Sequence, residues 1–288
     1  MPTEMKEDRT PGIVLAAFGT VEAAGLATYE SVQKKYGKAF PGCPVRLAFT
    51  SNLMRERLRE KSCIDVPSPL AALASLHDSG VKDAVVQSLQ IVPGDEFHRL
   101  DGLVRSLRAG GEHLAFSSLV LGLPLLSCLD DCRIVSAGLA PLFAGKNGNR
   151  CGSSDQNKMN KSATVLMGHG TGHPADGLYF IMAAMLRRDY KNVFLRTLEG
   201  FPGIAELVPE LQRCGFERVE LMPFLLVAGS HARQDMAGER PDSWKSVLER
   251  NGFEVKANLH GLAESEEIVS LFLEHTRTAW ERDGELGR

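Results

Sequence analysis

Three residues carry side chains suited to divalent-metal or proton chemistry, and each stands where a short apolar run gives way to a glycine-rich turn. They are His169 in Met-Gly-His-Gly-Thr, Glu199 in Thr-Leu-Glu-Gly-Phe, and His231 in Ala-Gly-Ser-His-Ala-Arg-Gln-Asp-Met. Two imidazoles and a carboxylate form a borderline donor set for cobalt, nickel, iron or zinc, and the same groups can accept protons. Taken singly, a His beside Gly is as often an exposed turn residue, and a Glu before Gly is usually solvated. Three of them at the ends of three strands point instead to a joint metal or catalytic role. The neighbouring glycines, Gly170 and Gly200 among them, lack Cβ atoms and let a flat ligand approach the main chain.

Other chemistries lose their best support. The run Gly168-His-Gly-Thr-Gly172 lacks the GxGxxG spacing of a dinucleotide loop, and Glu199 lies too far along to be its ribose-binding acid. There is no P-loop, GxSxG elbow or HExxH helix, so neither a nucleotide nor any organic cofactor is expected. Six cysteines show no framework spacing and read as free thiols; Cys128 and Cys132 make a lone CxxxC, a weak zinc signal. His173 reads as a loop residue, and His77, His113, His260 and His275 have no argument for the site.

The elements that must position these residues follow from hydrophobic patterning. Short β-branched or apolar runs alternate with amphipathic stretches, the pattern of βα units around parallel sheets. Strands are expected at 12–18, 45–50 and 84–89, and again at 163–167, 192–197 and 218–222. Helices are expected at 23–36, 53–60, 69–79, 178–188, 203–214 and 244–251. Three pairs of segments match and indicate a diverged duplication: 13–20 with 164–171, 45–50 with 193–198, and 80–96 with 215–231. The first pairing sets Phe18 opposite His169, and the third sets Glu96 opposite His231. The expected fold is α/β, two similar lobes, each a mainly parallel sheet flanked by helices, with an interlobe active-site cleft outside the carboxyl ends of the strands. The first lobe covers 1–145, a Gly/Asn/Lys-rich linker 146–161, and the second lobe 162–263; the amphipathic segment 264–288 is expected to pack back on the first lobe.

Composition narrows the partners. The chain of 288 residues carries 33 Lys and Arg against 36 Asp and Glu, with two Trp and four Tyr. It has neither the basic field nor the aromatic platforms of a nucleic-acid binder. The longest apolar stretch, 114–129, is interrupted by Ser117, Ser118, Gly122, Pro124 and Ser127 and is too short to span a bilayer. The polar, acidic N-terminus does not look like an export signal, so a cytoplasmic protein is expected, with a homo-oligomer left open.

Read together, His-Gly-Thr at 169–171, Glu-Gly at 199–200, the run from 223 to 236 and Phe-Gly-Thr at 18–20 resemble the anaerobic sirohydrochlorin cobaltochelatases of the CbiK family. The resemblance spans nearly the whole chain and keeps motif order, and the segment ending in Ala-Gly-Ser-His-Ala is its most specific part. It implies a class II chelatase architecture and insertion of Co2+, as substrate metal, into sirohydrochlorin or precorrin-2 during cobalamin synthesis. It also implies His169, Glu199 and His231 as the metal site, and it directs attention to Gly94-Asp-Glu-Phe-His98. There Glu96 could guide the cation or take a proton, or be a solvated loop carboxylate, and His98 is a further ligand candidate. Arg55, Arg57 and Arg233 could pair with substrate carboxylates, although an exposed helix face suits the first two better. A ferrochelatase, a nickel chelatase, or a carrier that binds metal or tetrapyrrole without turnover are the competing readings.

Overall fold

The computed structural model of the chain describes residues 10–110, 116–144 and 161–286. Most of the expected linker, together with His113 and Cys151, lies outside them. By internal contacts the chain divides into two units. The first comprises Met1–Val21, Leu26–Leu125 and Ser270–Arg288, and the second comprises Glu22–Gly25 and Leu126–Val269.

The elements of the first half run β1 (Gly12–Ala17), α1 (Ala23–Ala39), β2 (Val45–Phe49), α2 (Asn52–Ser62), α3 (Pro69–Asp78), β3 (Asp83–Ser88), α4 (Asp95–Ala109) and β4 (Ser118–Gly122). Its four strands form a parallel sheet in the order β2-β1-β3-β4. β1 is buried at every position, as a strand covered on both faces must be. One face of the sheet, with Val14, Ala16 and Val86, packs on Leu73, Leu76, Leu100 and Val104 from α3 and α4. α2 and α3 begin at Ser51 and Ser68, whose side chains accept the backbone N–H of Met54 and Ala71. Those bonds satisfy orphan donors of the first helical turn.

The second half runs α5 (Leu129–Ala144), β5 (Ser162–Gly168), α6 (Gly177–Asp189), β6 (Val193–Thr197), α7 (Ile204–Arg213), β7 (Arg218–Phe224), α8 (Trp244–Arg250), β8 (Glu254–Ala257) and α9 (Glu266–Leu286). Its sheet is again parallel, in the matching order β6-β5-β7-β8. The registers match as well. Ile13 stands beside Val45 as Thr164 stands beside Val193, and Gly12 beside Ala84 as Ala163 beside Val219. Before β3 and β7 the paired glycines Gly80 and Gly215 both take positive φ, 87° and 71°. Val165, Met167, Phe194 and Leu221 pack on Leu207, Leu211, Trp244 and Leu248.

The six expected strands and six expected helices are present within a few residues of their ends. α4, β4, α5 and β8 were not expected. β4 sits inside the apolar stretch read only as too short for a membrane. α5 carries Gly138 and Pro141, which interrupt its pattern. The expected lobe boundary at 145 also differs, because α5 groups with the second unit. There Phe143 lies edge-on to Tyr190 at 5.1 Å, and Gly138 fits against the Glu267 side chain. α9 divides at Val269 and Ser270, and its later residues tie into the first unit. Buried Thr276 bonds the Tyr36 hydroxyl at 3.0 Å and the Gln87 side chain at 2.9 Å. Among the described residues no helix is long and apolar enough to cross a membrane.

Candidate metal centre

His169 is the first residue beyond β5, and its position is set by the sheet itself. The β5–β6 ladder continues past the strands: Leu198 N–H donates to Gly168 O at 2.9 Å and Glu199 N–H to His169 O at 2.8 Å. The backbone therefore places Glu199 beside His169 before any side chain acts. Two glycines make this approach possible. Gly170 has φ of +80°, and a Cβ there would stand 2.5 Å from Gly200 N and 2.9 Å from Thr197 Cβ. A Cβ on Gly200 would meet Thr197 Oγ1 at 2.6 Å and the Asp176 carboxylate at 2.7 Å. That carboxylate accepts the Thr171 N–H at 3.0 Å and closes the turn. Tyr179, on α6, bonds the Gly170 backbone, and burial pushes its phenol well above the usual tyrosine range.

His231 opens a π-helical turn, His231–Met236, on the connection after β7. The extra residue per turn in such a segment re-aims side chains and is common at functional sites. His231 and His169 meet edge to face, with ring centroids 4.7 Å apart and planes at 82°. The second unit thus brings together both imidazoles and, beside one of them, Glu199.

The outer bonds of the two rings determine which nitrogen is available. His169 Nδ1 lies 2.9 Å from Gly170 O, and a carbonyl oxygen only accepts, so Nδ1 carries the proton. His231 Nδ1 lies 2.7 Å from Asp235 Oδ2, which holds its Nδ1 proton in the same way. In both rings Nε2 keeps its lone pair, the form needed to bind a metal or accept a proton. Glu199 Oε2 is 3.7 Å from His169 Nδ1, toward the edge already bonded to Gly170, and the carboxylate is 59% exposed. Among the described residues no three His, Cys, Asp or Glu side chains form a ready-made metal cage. Two imidazoles in edge-to-face contact and an exposed carboxylate beside one of them are the donors this part of the fold brings together.

Glu96 and His98 lie not on a loop but in the first turn of α4. Negative charge there suits the helix N-terminus. Both Glu96 oxygens are engaged within the first unit, Oε2 by the Thr50 hydroxyl at 3.0 Å and Oε1 by Arg99 at 2.6 Å. His98 is exposed and lies edge-on to Phe97. The register also shows that Ser51 is the counterpart of Glu199. Thr50 N–H donates to Ala17 O and Ser51 N–H to Phe18 O, as Leu198 and Glu199 donate to Gly168 and His169. Gly19, like Gly170, takes positive φ and bonds a buried tyrosine, Tyr29.

Among the remaining candidates, Arg55 bonds Val66 O and Asn52, and Arg57 is exposed on α2. Arg233 lies 3.7 Å from Glu22. His173 Nδ1 accepts the Ala175 N–H at 3.1 Å and caps a short 3-10 turn, a structural role. The cysteines resolved among the described residues are all free, and burial pushes the Cys132 thiol up to about 11. Sequence reasoning missed Asp235, although its signal, an acid four residues after His231, lies within the run from 223 to 236.

Comparison with known proteins identifies the family of the chain. A family model described as Cobalt chelatase (CbiK) matches residues 11–281. The sirohydrochlorin cobaltochelatase CbiKC of Nitratidesulfovibrio vulgaris is 39% identical over 272 residues, covering 93% of this chain and 90% of that protein. The sirohydrochlorin cobaltochelatase of Salmonella typhimurium is 33% identical over 240 residues, covering 82% of this chain and 84% of that protein. In fold, the chain is similar to SirB from Bacillus subtilis with Fe3+, at a TM-score of 0.61 and 14% identity, covering 96% of this chain and 98% of that one.

Proposed function

The chain belongs to the cobalt chelatase (CbiK) family, and on that premise we propose that it is a sirohydrochlorin cobaltochelatase acting in the cytoplasm on the path to cobalamin. The reaction replaces two pyrrole protons of sirohydrochlorin, or of its relative precorrin-2, with one Co2+ ion. The observation that carries this reading is the pair of adjoining imidazoles, each with Nδ1 committed to a fixed acceptor and Nε2 left with its lone pair. The names of the two relatives agree with it.

Each lone pair serves twice in succession. Nε2 of His169 and of His231 first replaces water on the substrate Co2+, with Glu199 swinging in to neutralise charge. As the pyrrole nitrogens take over the ion, both lone pairs are freed and can accept the two departing protons. The Gly170 carbonyl and the Asp235 carboxylate hold the rings in one tautomer throughout, and Asp235 stabilises the imidazolium that forms on His231. Glu96, in the first turn of α4 in the first unit, is proposed to draw in the cation or take a proton. The two units are proposed as the functional domains, with the metal site on the second.

The test is insertion followed by the absorbance change of sirohydrochlorin, with purified protein and Co2+, Ni2+ or Fe2+ in turn. His169→Ala or His231→Ala is expected to remove all but about 1% of the Co2+ rate, in the range general acid–base groups supply. Near wild-type rates in both variants would overturn the assignment. Faster turnover with Ni2+ or Fe2+ would change the metal, and stoichiometric binding without insertion would make the protein a carrier.

A further inference from the structure

Phe201 is 64% exposed, the most of any large apolar side chain among the described residues, and Phe180 is 46% exposed. Scattered single apolar residues on a surface need no explanation. These two are not scattered. Their ring centroids lie 6.3 Å apart with planes tilted by 39°. Phe201 follows Glu199 by two positions, and Phe180 is on α6, the helix that leaves the His169 turn and whose Tyr179 bonds Gly170. Elsewhere in the second unit Phe194, Phe224 and Tyr179 are buried, so the sequence does not place aromatic side chains in solvent indiscriminately. The first unit repeats the feature in its own frame. Its counterparts of His169 and Phe201 are Phe18 and Leu53, which are 45% and 50% exposed. In each unit, large apolar side chains are left uncovered on the loops and first helical turns that follow the first two strands.

We propose that Phe180 and Phe201 form the surface on which the tetrapyrrole ring rests while His169 and His231 hold the metal. This rests on the chelatase reading above and adds the residues that grip the macrocycle. The occupant follows from chemistry. A conjugated ring with apolar faces and carboxylates at its rim gains most from aromatic side chains laid against a face, an interaction driven by burial and ring quadrupoles and indifferent to the metal. A carboxylate is repelled by the negative faces of phenyl rings, and a divalent metal ion finds no ligand atom on them.

The experiment uses the full chain with Phe201→Ala, Phe180→Ala and Phe201→Tyr. Sirohydrochlorin is varied at saturating Co2+, then Co2+ at saturating sirohydrochlorin, and metal-free binding is measured by titrating sirohydrochlorin and following its fluorescence. Each alanine variant is expected to raise the KM for sirohydrochlorin and the metal-free Kd about tenfold, with the KM for Co2+ unmoved, and Phe201→Tyr is expected to restore both. Because Phe201 shares a loop with Glu199, Phe180→Ala is the cleaner arm, since a helix position can lose its ring without moving that loop. Wild-type Kd values in both alanine variants would overturn the proposal. So would an unchanged Kd accompanied by altered sedimentation, which would make the pair a contact between copies of this chain. If the wild-type protein neither binds sirohydrochlorin nor inserts cobalt, the chelatase reading fails and this inference falls with it, a result distinct from the other two.

Discussion

Replacing Gly170 by alanine tests whether the backbone frame around His169 is as tight as its geometry requires. Two costs add. At φ of +80° an L-residue sits in the left-handed region, at roughly 1–2 kcal/mol. The new methyl would also stand 2.5 Å from Gly200 N, a main-chain atom that cannot rotate away, so the turn carrying Glu199 must shift. Overpacking of this kind costs about 1–3 kcal/mol. The sum, about 2–5 kcal/mol, corresponds to a fall in Tm of about 4–20 °C at the usual conversion for a domain of this size. Gly172→Ala is the internal control: it is in the same turn, with nothing within 4 Å of its Cβ and no left-handed φ. It is expected to change stability by less than about 0.5 kcal/mol. Thermal unfolding of both variants, with cobalt insertion assayed well below Tm, reads out the two effects. Gly170→Ala should also insert cobalt slowly while fully folded, because displacing Gly200 moves Glu199 away from His169. Equal stability of the two variants, or a wild-type rate in folded Gly170→Ala, would refute the reasoning.

Asp235→Asn should lower cobalt insertion about 10–100-fold with an unchanged circular dichroism spectrum, since the amide can still bond His231 Nδ1 but no longer offsets charge on the ring; a rate within twofold of wild type would make the carboxylate dispensable. Thr276→Val should destabilise the protein by about 1–3 kcal/mol in denaturant titrations, because Tyr36 and Gln87 each lose a buried partner. Burial, then Asp131 and Cys128, raises the Cys132 thiol to about 11. The folded state therefore holds this proton more tightly than the unfolded chain. Its contribution is full below the unfolded value near 8.5 and is lost as the pH rises through about 11. The denaturant midpoint should accordingly fall less steeply over that window in Cys132→Ala than in wild type.

The duplication was legible because parallel strands buried on both faces leave continuous apolar runs, and the pairing of 45 with 193 or of 80 with 215 matches the registers found. β4 was not legible, since five residues ending in Gly122 carry little periodicity. The reason for that glycine is tertiary: a Cβ there would sit 2.0 Å from the Gln87 side chain. α4 was within reach, with Phe97, Leu100 and Val104 buried at helical spacing, but its first turn was read as loop because Glu96 and His98 drew a chemical explanation. At the candidate site, the residue types singled out His169, Glu199 and His231, which the structure places near one another. The spacing of Asp235 from His231 was a signal for that pair, but nothing in the sequence says that Gly170 O would fix the His169 tautomer, because that is a property of the turn.

The two copies show what the frame fixes and what it leaves free. In both, the ladder between the first two strands runs one residue further, a glycine at positive φ follows, and a buried tyrosine bonds that glycine's backbone. None of these contacts involves the side chain at Phe18 or His169. Nor do they involve the side chains of Ser51 or Glu199, of which the first caps α2 and the second stands 59% exposed. Substitution at such positions costs the fold little. One copy could therefore carry imidazole and carboxylate while the other kept a phenyl ring and a capping serine, with no change in backbone geometry. The metal chemistry proposed for the second unit is accordingly a matter of which side chains occupy a shared frame, and the strict requirement falls on the glycines that build it.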